Sequence, residues 1–193
     1  MAGMGFFDDA PAPEPEPLRP HHPWDLPEAE FPGVVPLNTI VLGQTEQAAV
    51  AVTGLSAYSA GFEIFVTARI RPGAEAAAGD RMPGGRGPGG PRRSFRLGLQ
   101  LADGTKVIGD HGGRGPGGDT EPGGPILRMF LGGGSPRSRL SRWWAWPLPP
   151  AGPLEFVCEW PVFGIPETRT GVDGQVILDA VAHSVRLWPE DQG

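Results

Sequence analysis

The chain has 193 residues, of which 39% are apolar, 20% charged and 8% aromatic, and its formal net charge is −6. Its 31 glycines and 24 prolines make up about 28% of the sequence, a share typical of chains with low-complexity segments. No apolar run approaches the about 18 residues of a membrane-spanning helix, and the length suits one domain with a real core.

Metal-ligating and redox-active side chains are few. Cys158 is the single cysteine, which excludes an internal disulfide and a zinc site built from thiolates of this chain. Of the four histidines, only His21 and His22 are close in sequence. We therefore predict no metal and no other cofactor. The N-terminus has no basic region of a secretory signal, so we expect a cytoplasmic protein.

Residues 1–32 differ in composition from the rest of the chain. They alternate proline with acidic residues, carry seven acids against Arg19 alone, and hold few apolar groups to offset the entropy of ordering. This composition predicts a disordered, partly polyproline-II tail. Trp24 and the Phe6–Phe7 pair are exceptions, because large apolar groups in such a tail can anchor a partner or the domain's own surface.

From Val34 the sequence changes to short apolar runs separated by glycine and proline, which is the pattern of strands. Segments 61–71 and 94–101 alternate apolar with polar residues, as in a sheet with one wet face. After 94–101, Asp103-Gly104 predicts a tight turn into an antiparallel partner strand. The eight predicted strands are 34–42, 47–55, 61–71, 94–101, 104–109, 125–131, 139–146 and 153–160.

The proline-rich stretch from Trp146 to Pro153 joins the last two predicted strands. Its prolines cannot continue a ladder, and a connection this short predicts an antiparallel hairpin between 139–146 and 153–160. Beyond it, apolar residues at helical spacing predict a short helix with Asp173 as its N-cap. These are Val176, Ile177, Ala180, Val181 and Val185.

These elements predict an all-β fold, an antiparallel immunoglobulin-like β-sandwich over residues 33–190 with a short C-terminal helix. Glycine-rich linkers interrupt the sandwich at 72–93, 110–124 and 132–138, and the first two each contain GGRGPGG. Their arginines suit RNA, but the first loop has no aromatic side chains for stacking and the domain is neutral overall, so we do not expect nucleic-acid binding.

Trp143, Trp144 and Trp146 are the candidate binding surface. Strand alternation places Trp144 and Trp146 on one face and Trp143 on the other. An aromatic platform on a sandwich face can stack a sugar or a proline-rich peptide. The alternative is that these tryptophans fill the core of a small domain.

Glu155 and Glu159 share one face of the predicted strand 153–160, an arrangement that invites a paired-carboxylate glycosidase interpretation. Four strand residues span ~13 Å, whereas catalytic carboxylate pairs lie about 5–10 Å apart. The same alternation is that of a half-buried strand, and it places Cys158 on the apolar face, where we expect a buried, unreactive thiol.

Residues 143–169, WWAWPLPPAGPLEFVCEWPVFGIPETR, resemble a set of uncharacterised actinobacterial proteins. In those proteins an acidic proline-rich N-terminus precedes an AVAVTGLSAYSAGFEI-like pair of strands and a W-P-L-P-P-x-G-x-L-x-F-x-C-E-W block. The resemblance covers most of residues 34–190. It implies an intact small domain in a bacterial cytoplasm, and no activity is attached to the group.

No set of side chains in the sequence meets the requirements of a catalytic site. We therefore expect a non-catalytic binding or protein-interaction module, with a protein partner that contacts the tail or the tryptophan face. The alternative is a carbohydrate-active or hydrolase-like sandwich that uses Glu155, Glu159 and the tryptophans.

Overall fold

A computed structural model describes residues 22–75, 95–111 and 121–188 of the chain. This part of the protein is mostly β-structure with one short α-helix, as predicted. No helix within these three ranges is long and apolar enough to cross a membrane. The elements are β1 (Glu30–Phe31), β2 (Gly33–Val34), β3 (Ile40–Gln44), β4 (Ala48–Ala57), β5 (Phe62–Ile70), β6 (Arg96–Gln100), β7 (Lys106–Ile108), β8 (Ile126–Ser135), β9 (Ser138–Trp146), β10 (Pro153–Trp160), a 3-10 turn (Pro161–Phe163), β11 (Ile165–Asp173), α1 (Gln175–Val181) and β12 (Val185–Arg186).

The strands form two large antiparallel sheets and a small ribbon. The six-stranded sheet has the order β2-β4-β5-β9-β8, with β3 also pairing with β4. The four-stranded sheet has the order β11-β10-β6-β7, and β1 pairs with β12. Apolar side chains at alternate positions of both sheets share one core, because a half-buried strand turns every second residue inward. Trp143 of β9 and Trp160 of β10 are the largest fully buried side chains among the described residues.

The two sheets approach each other at both pairs of edges. After β7, Asp110 forms a parallel bridge with Arg128 of β8, through 2.8 Å hydrogen bonds from Asp110 N to Leu127 O and from Met129 N to Asp110 O. At the other edges, a Cβ on Gly43 of β3 would lie 2.5 Å from Ile165 Cγ2 of β11. A side chain at position 43 would therefore force these edges apart.

Most predicted strands are present with boundaries shifted by a few residues. The hairpin between β6 and β7 is confirmed, and Gly104 at its turn has the positive φ of 86° that glycine allows. The predicted linker at 132–138 is wrong. Residues 132–135 continue β8, because glycine retains the backbone groups that pair with β9.

Three element predictions also differ from the structure. The predicted strand 34–42 is divided into β2 and β3. The strand β11 was not predicted, because its sequence IPETRTGVD is polar and most of its side chains are exposed or half-buried at the sheet edge. The helix α1 ends at Val181, and Val185 lies in β12. Asp173 Oδ1 accepts a 3.0 Å hydrogen bond from Gln175 N, although Gly174 is the N-cap.

The hairpin predicted between 139–146 and 153–160 is wrong. β9 belongs to the six-stranded sheet, whereas β10 pairs with β6 and β11 in the four-stranded sheet. The intervening residues, with a cis Trp146–Pro147 bond, carry the chain from one sheet to the other. Prolines end the ladder of β9 as predicted, because they lack an amide donor, but this does not determine which sheet the chain joins next.

Residues 22–31, called the N-terminal segment below, lie on the domain, although they were predicted as part of a disordered tail. Trp24 is buried, and β1 pairs with β12. The domain therefore includes residues before the predicted boundary at residue 33. Residues 1–21 lie outside the described residues, as do 76–94 and 112–120, which hold both copies of GGRGPGG.

Candidate interaction surface

Trp143 lies in the core between the sheets. Its ring packs edge to face against His111, with 4.9 Å between ring centroids, and its Nε1 donates a 2.9 Å hydrogen bond to Ser141 Oγ. A Cβ on Gly109 would lie 2.7 Å from Trp143 Cζ3, so the backbone after β7 passes directly over the indole. Trp143 therefore fills the core and does not contribute to an exposed surface.

Trp144 faces the opposite side of β9 and is buried beneath the N-terminal segment. Its Nε1 donates a 2.9 Å hydrogen bond to Trp24 O, and Tyr58 packs edge to face on it at 5.6 Å. The ring of Trp24 stacks on His22 at 4.6 Å and meets half-buried Trp146 at 6.4 Å. The alternation predicted for these tryptophans is correct, but Trp143 and Trp144 are buried and the three do not form an exposed platform.

A second contact holds the other end of the N-terminal segment. The carboxylate of Glu30 is buried and accepts hydrogen bonds from Ser59 N at 2.8 Å and from Ser59 Oγ at 2.6 Å. Leu187 N donates to Ala29 O at 2.9 Å beside the β1–β12 pair. The N-terminal segment is therefore fixed at both ends, and it covers one end of the outer face of the six-stranded sheet.

Next to Trp144 on this outer face is a buried carboxylate, Glu63 of β5. Glu63 Oε1 accepts a 2.5 Å hydrogen bond from Arg142 Nη2, and Oε2 accepts a 3.2 Å hydrogen bond from the Tyr58 hydroxyl. Burial, and then the neighbouring Glu63 carboxylate, raise the pKa of Tyr58 well above its ordinary value. Tyr58 therefore stays protonated and acts as the donor to Glu63 at physiological pH.

The guanidinium of Arg142 lies between two aromatic rings. Its Cζ is 5.2 Å from the centre of the Phe65 ring and 5.1 Å from that of Phe130. Both distances fit cation–π contact. The register between β8 and β9 shifts between Met129 and Leu131, so Phe130 is the extra residue of a β-bulge, which re-aims a side chain. The bulge allows Phe130 to reach Arg142, the cross-strand partner of Leu131.

The result is an apolar surface around one fixed cation. Phe130, Leu131 and Leu140 are 41%, 53% and 44% exposed. Together with Phe65 and Arg142 they are called the Phe130 patch below. Exposed apolar groups gathered in one place mark interaction sites more often than scattered ones do. Aromatic residues and arginine are also enriched at the cores of protein interfaces.

The Phe130 patch adjoins a free strand edge. The Asp110 bridge satisfies backbone groups of β8 at 127–129, whereas residues 130–135 pair only with β9 among the described residues and are exposed. Strand alternation alone does not reveal this patch. The bulge at Phe130 and the continuation of β8 through its glycines depend on pairing with β9, so they were missed in the sequence.

Glu155 and Glu159 lie on the other sheet. Glu155 Oε2 pairs with Arg169 Nη1 at 3.1 Å, and Glu159 Oε1 pairs with Arg96 Nε at 2.6 Å. Trp143 and Trp160 are in the core, and Trp144 is on the outer face of the six-stranded sheet. The structure therefore does not bring these glutamates together with the tryptophan cluster.

Two further concave regions lie on the described surface. A groove of about 240 Å³ crosses the outer face of the four-stranded sheet above Gly98, which has no side chain to fill it. A wider depression of about 560 Å³ lies between the N-terminal segment and Trp188. Charges of both signs line each region. The groove contains Lys106, Arg96 and Glu159, and the depression contains Asp25, Glu28 and Arg186.

Cys158 is buried in β10, as its alternation with apolar residues predicts. Burial raises the pKa of the thiol to about 11. Since the thiolate is the reactive species, slow modification by thiol reagents stays a prediction for this residue. Within the described ranges, no three side chains of histidine, cysteine, aspartate or glutamate come together to hold a metal ion.

No protein-family model matches the chain, and no curated protein matches it. A solved structure described as "the crystal structure of the conserved domain protein from Bacillus anthracis" is similar, with a TM-score of 0.42 and 11% sequence identity. The similarity covers 70% of this chain and 48% of that protein, so the chain spans about half its length. A likeness this weak does not define a shared fold or function.

Proposed function

We propose that this protein is a non-catalytic protein-interaction module and that the Phe130 patch is its binding surface. The observation that carries the proposal is the exposure of Phe130, Leu131 and Leu140 around Arg142, beside the free edge of β8. The fold proposed with it is the immunoglobulin-like sandwich, which two antiparallel sheets with a shared core support. A bacterial cytoplasmic location, implied by the actinobacterial resemblance, is part of the same proposal.

The Phe130 patch is pre-organised for contact with a protein. Arg142 is held by Glu63 at one nitrogen and by rings on two sides, so little side-chain entropy is lost when a partner covers it. Central, desolvated arginine and aromatic side chains contribute most of the binding energy at protein interfaces. We therefore expect Arg142, Phe130 and Leu140 to dominate the affinity.

The free edge of β8 suits a partner that is extended at the contact. Among the described residues, 130–135 pair only with β9, so an added strand can pair with the other side of this edge. Backbone pairing would supply affinity, and the neighbouring patch would supply selectivity for apolar side chains. The carbohydrate-active alternative has no comparable support, since Glu155 and Glu159 are occupied by arginines.

Site-specific photo-cross-linking in the cells that encode the protein tests the proposal. A photoreactive side chain replaces Leu140 in one variant and Ile108 in the other, an 83% exposed residue on the opposite sheet. We expect discrete protein adducts from position 140 and none of the same mass from position 108. Absence of adducts at position 140, or the same adducts at both positions, would contradict the proposed surface.

A charge substitution completes the test. Leu140→Glu should abolish binding of the partner identified by cross-linking, because it places a carboxylate at the centre of an apolar contact. Ile108→Glu should leave that binding unchanged. Thermal unfolding of both variants checks that each remains folded. If Leu140→Glu folds and binds as well as the wild type, the Phe130 patch is not the binding surface.

A further inference from the structure

We propose that the Phe130 patch is covered in the resting protein by residues 1–21 of the same chain, which dock through Phe6 and Phe7. The inference rests on the proposed function, because it assigns that surface its regulation. A partner would then bind by displacing the chain's own N-terminus. Three features of the molecule argue for this occupant: where the described chain begins, the length before it, and the charges.

The described chain begins at the edge of the surface to be covered. His22 stacks on Trp24, and the carbonyl of Trp24 accepts the hydrogen bond from Trp144. Trp144 and Arg142 are alternate residues of β9 and face the same side of the sheet. The N-terminal segment thus already covers one end of this outer face, and the Phe130 patch continues directly from the covered part.

The segment before His22 is long enough to place Phe6 and Phe7 on the Phe130 patch. Fourteen residues separate Phe7 from His22, and an extended chain of that length reaches up to ~50 Å. The distance along β9 from Trp144 to Leu140 is four strand residues, or ~13 Å. Phe6 and Phe7 can therefore reach every part of the Phe130 patch without stretching the intervening prolines.

The charges of the two surfaces are complementary. Along β5, β8 and β9, the outward-facing charged side chains of the described chain are Arg69, Arg128, Arg142 and the buried Glu63. In the sequence, Asp8 and Asp9 follow Phe6–Phe7 directly, and Glu14 and Glu16 come next. Aromatic groups followed by carboxylates match an apolar patch that holds Arg142 at its centre and has Arg69 and Arg128 on the neighbouring strands. Because the contact is intramolecular, a high effective concentration allows weak interactions to close it.

Paramagnetic relaxation on the full-length chain tests the docking. Gly5→Cys provides a label position beside Phe6, and Cys158 is too deeply buried to compete for the reagent. With a nitroxide at position 5, we expect strong attenuation of the amide signals of Leu131 and Leu140. The signal of Gly171, on β11 at the far edge of the opposite sheet, should be attenuated much less. Attenuation that is uniform over the domain, or absent from the patch, would overturn the proposal.

Two controls make the result specific. Phe6→Ser with Phe7→Ser should remove the attenuation at Leu140, whereas Pro11→Ser with Pro13→Ser, in the same segment, should retain it. Mixing isotope-labelled chain with spin-labelled chain that carries no isotope distinguishes docking in cis from exchange between copies. Attenuation in the mixed sample would overturn docking in cis.

The outcome is separable from that of the proposed function. If position 140 cross-links a partner and the relaxation effect is absent, the interaction surface stands and its regulation by residues 1–21 is wrong. If the relaxation effect is present and position 140 gives no partner adducts in the Phe6→Ser, Phe7→Ser background, the segment docks on a surface that does not bind a partner. If residues 1–21 do cover the Phe130 patch, the yield of partner adducts at position 140 should be higher in the Phe6→Ser, Phe7→Ser background than in the wild type.

Discussion

Trp144 donates its indole N–H to the backbone carbonyl of Trp24, a residue 120 positions earlier in the chain, at 2.9 Å. The bond fastens the N-terminal segment to the outer face of the six-stranded sheet. It also satisfies the indole nitrogen of a tryptophan that the segment itself buries. The segment and the sheet therefore depend on each other for their burial.

Trp24→Ala should destabilise the protein by about 3 kcal/mol, because it removes a buried indole that packs on His22 and Trp146. Urea unfolding measures the loss. Trp188→Ala is the matched control, since Trp188 is 54% exposed, and its effect should stay within about 0.5 kcal/mol. A loss from Trp24→Ala as small as the one expected for Trp188→Ala would show that burial of Trp24 by the N-terminal segment does not contribute to stability.

Glu63→Ala should cost about 3 kcal/mol of stability, because it leaves the Arg142 guanidinium and the Tyr58 hydroxyl without their buried partner. Arg142→Ala should also lower the stability, because it leaves the buried Glu63 carboxylate without its arginine. In a double-mutant cycle, the two substitutions together should cost less than the sum of the single effects. Strict additivity would mean that the two groups do not interact in solution.

Burial lowers the pKa of His111 below its ordinary value of 6.5, although the Asp110 carboxylate and a backbone hydrogen bond with Phe95 oppose the shift. The unfolded chain then binds more protons than the folded chain below pH 6.5. Stability from this group is complete above pH 6.5 and is lost as the pH falls toward the lower folded value. We expect the free energy of unfolding to decrease between about pH 7.5 and about pH 5.5.

His111→Phe should reduce this decrease, because phenylalanine retains the aromatic contacts with Trp143 and Phe95 and has no proton to bind. His183→Gln, at an exposed position, should keep the wild-type pH dependence. Denaturant unfolding at the two pH values gives the comparison. An identical pH dependence of His111→Phe and wild type would assign the effect to other groups.

Gly43→Ala should destabilise the protein by about 2 kcal/mol, because the added methyl group overlaps Ile165 Cγ2 where β3 meets β11. Ile165→Val in the same chain should not relieve the overlap, since valine keeps the Cγ2 methyl group, whereas Ile165→Ala removes it and should relieve the overlap. Gly171→Ala, where nothing lies within 4 Å of the new Cβ, is the control and should be nearly neutral. The melting temperatures of the variants show which substitutions destabilise the protein and which restore its stability.

The alternation of apolar and polar residues predicted the strands that have one face on the core and the other in solvent. In β5, β6 and β10, apolar and polar side chains alternate because one face of each strand packs on the core. This alternation can be recognised in the sequence of each strand by itself. β11 escaped prediction because its polar side chains lie on a sheet edge. The strand that pairs with β10 was also predicted wrongly. The prolines after Trp146 end the ladder of β9 in the same way whether the chain turns back within one sheet or passes to the other sheet.

The candidate surface was harder to predict than the strands. Trp144 was correctly placed on the face opposite Trp143, but its burial depends on Trp24, which is far away in sequence. Phe130 looks like an ordinary strand residue, and only the register shift against β9 brings it to Arg142. Sequence periodicity reports the face of a strand, whereas an interaction surface also depends on what the other elements leave uncovered.

The pairing of β1 with β12 has a consequence for the way this domain can be joined to other chains. Glu30 is aligned with Arg186 and Phe31 with Val185, and Pro23 and Trp188 line the same depression, so the two ends of the described chain lie near each other. Domains whose ends lie close together tolerate circular permutation and insertion into a loop of a host protein. A fusion that joins the chain before Trp24 to the chain after Trp188 through a linker, and so keeps the N-terminal segment, should thus preserve both sheets. New ends would then be opened at the Asp103-Gly104 turn, on exposed residues of the β6–β7 hairpin.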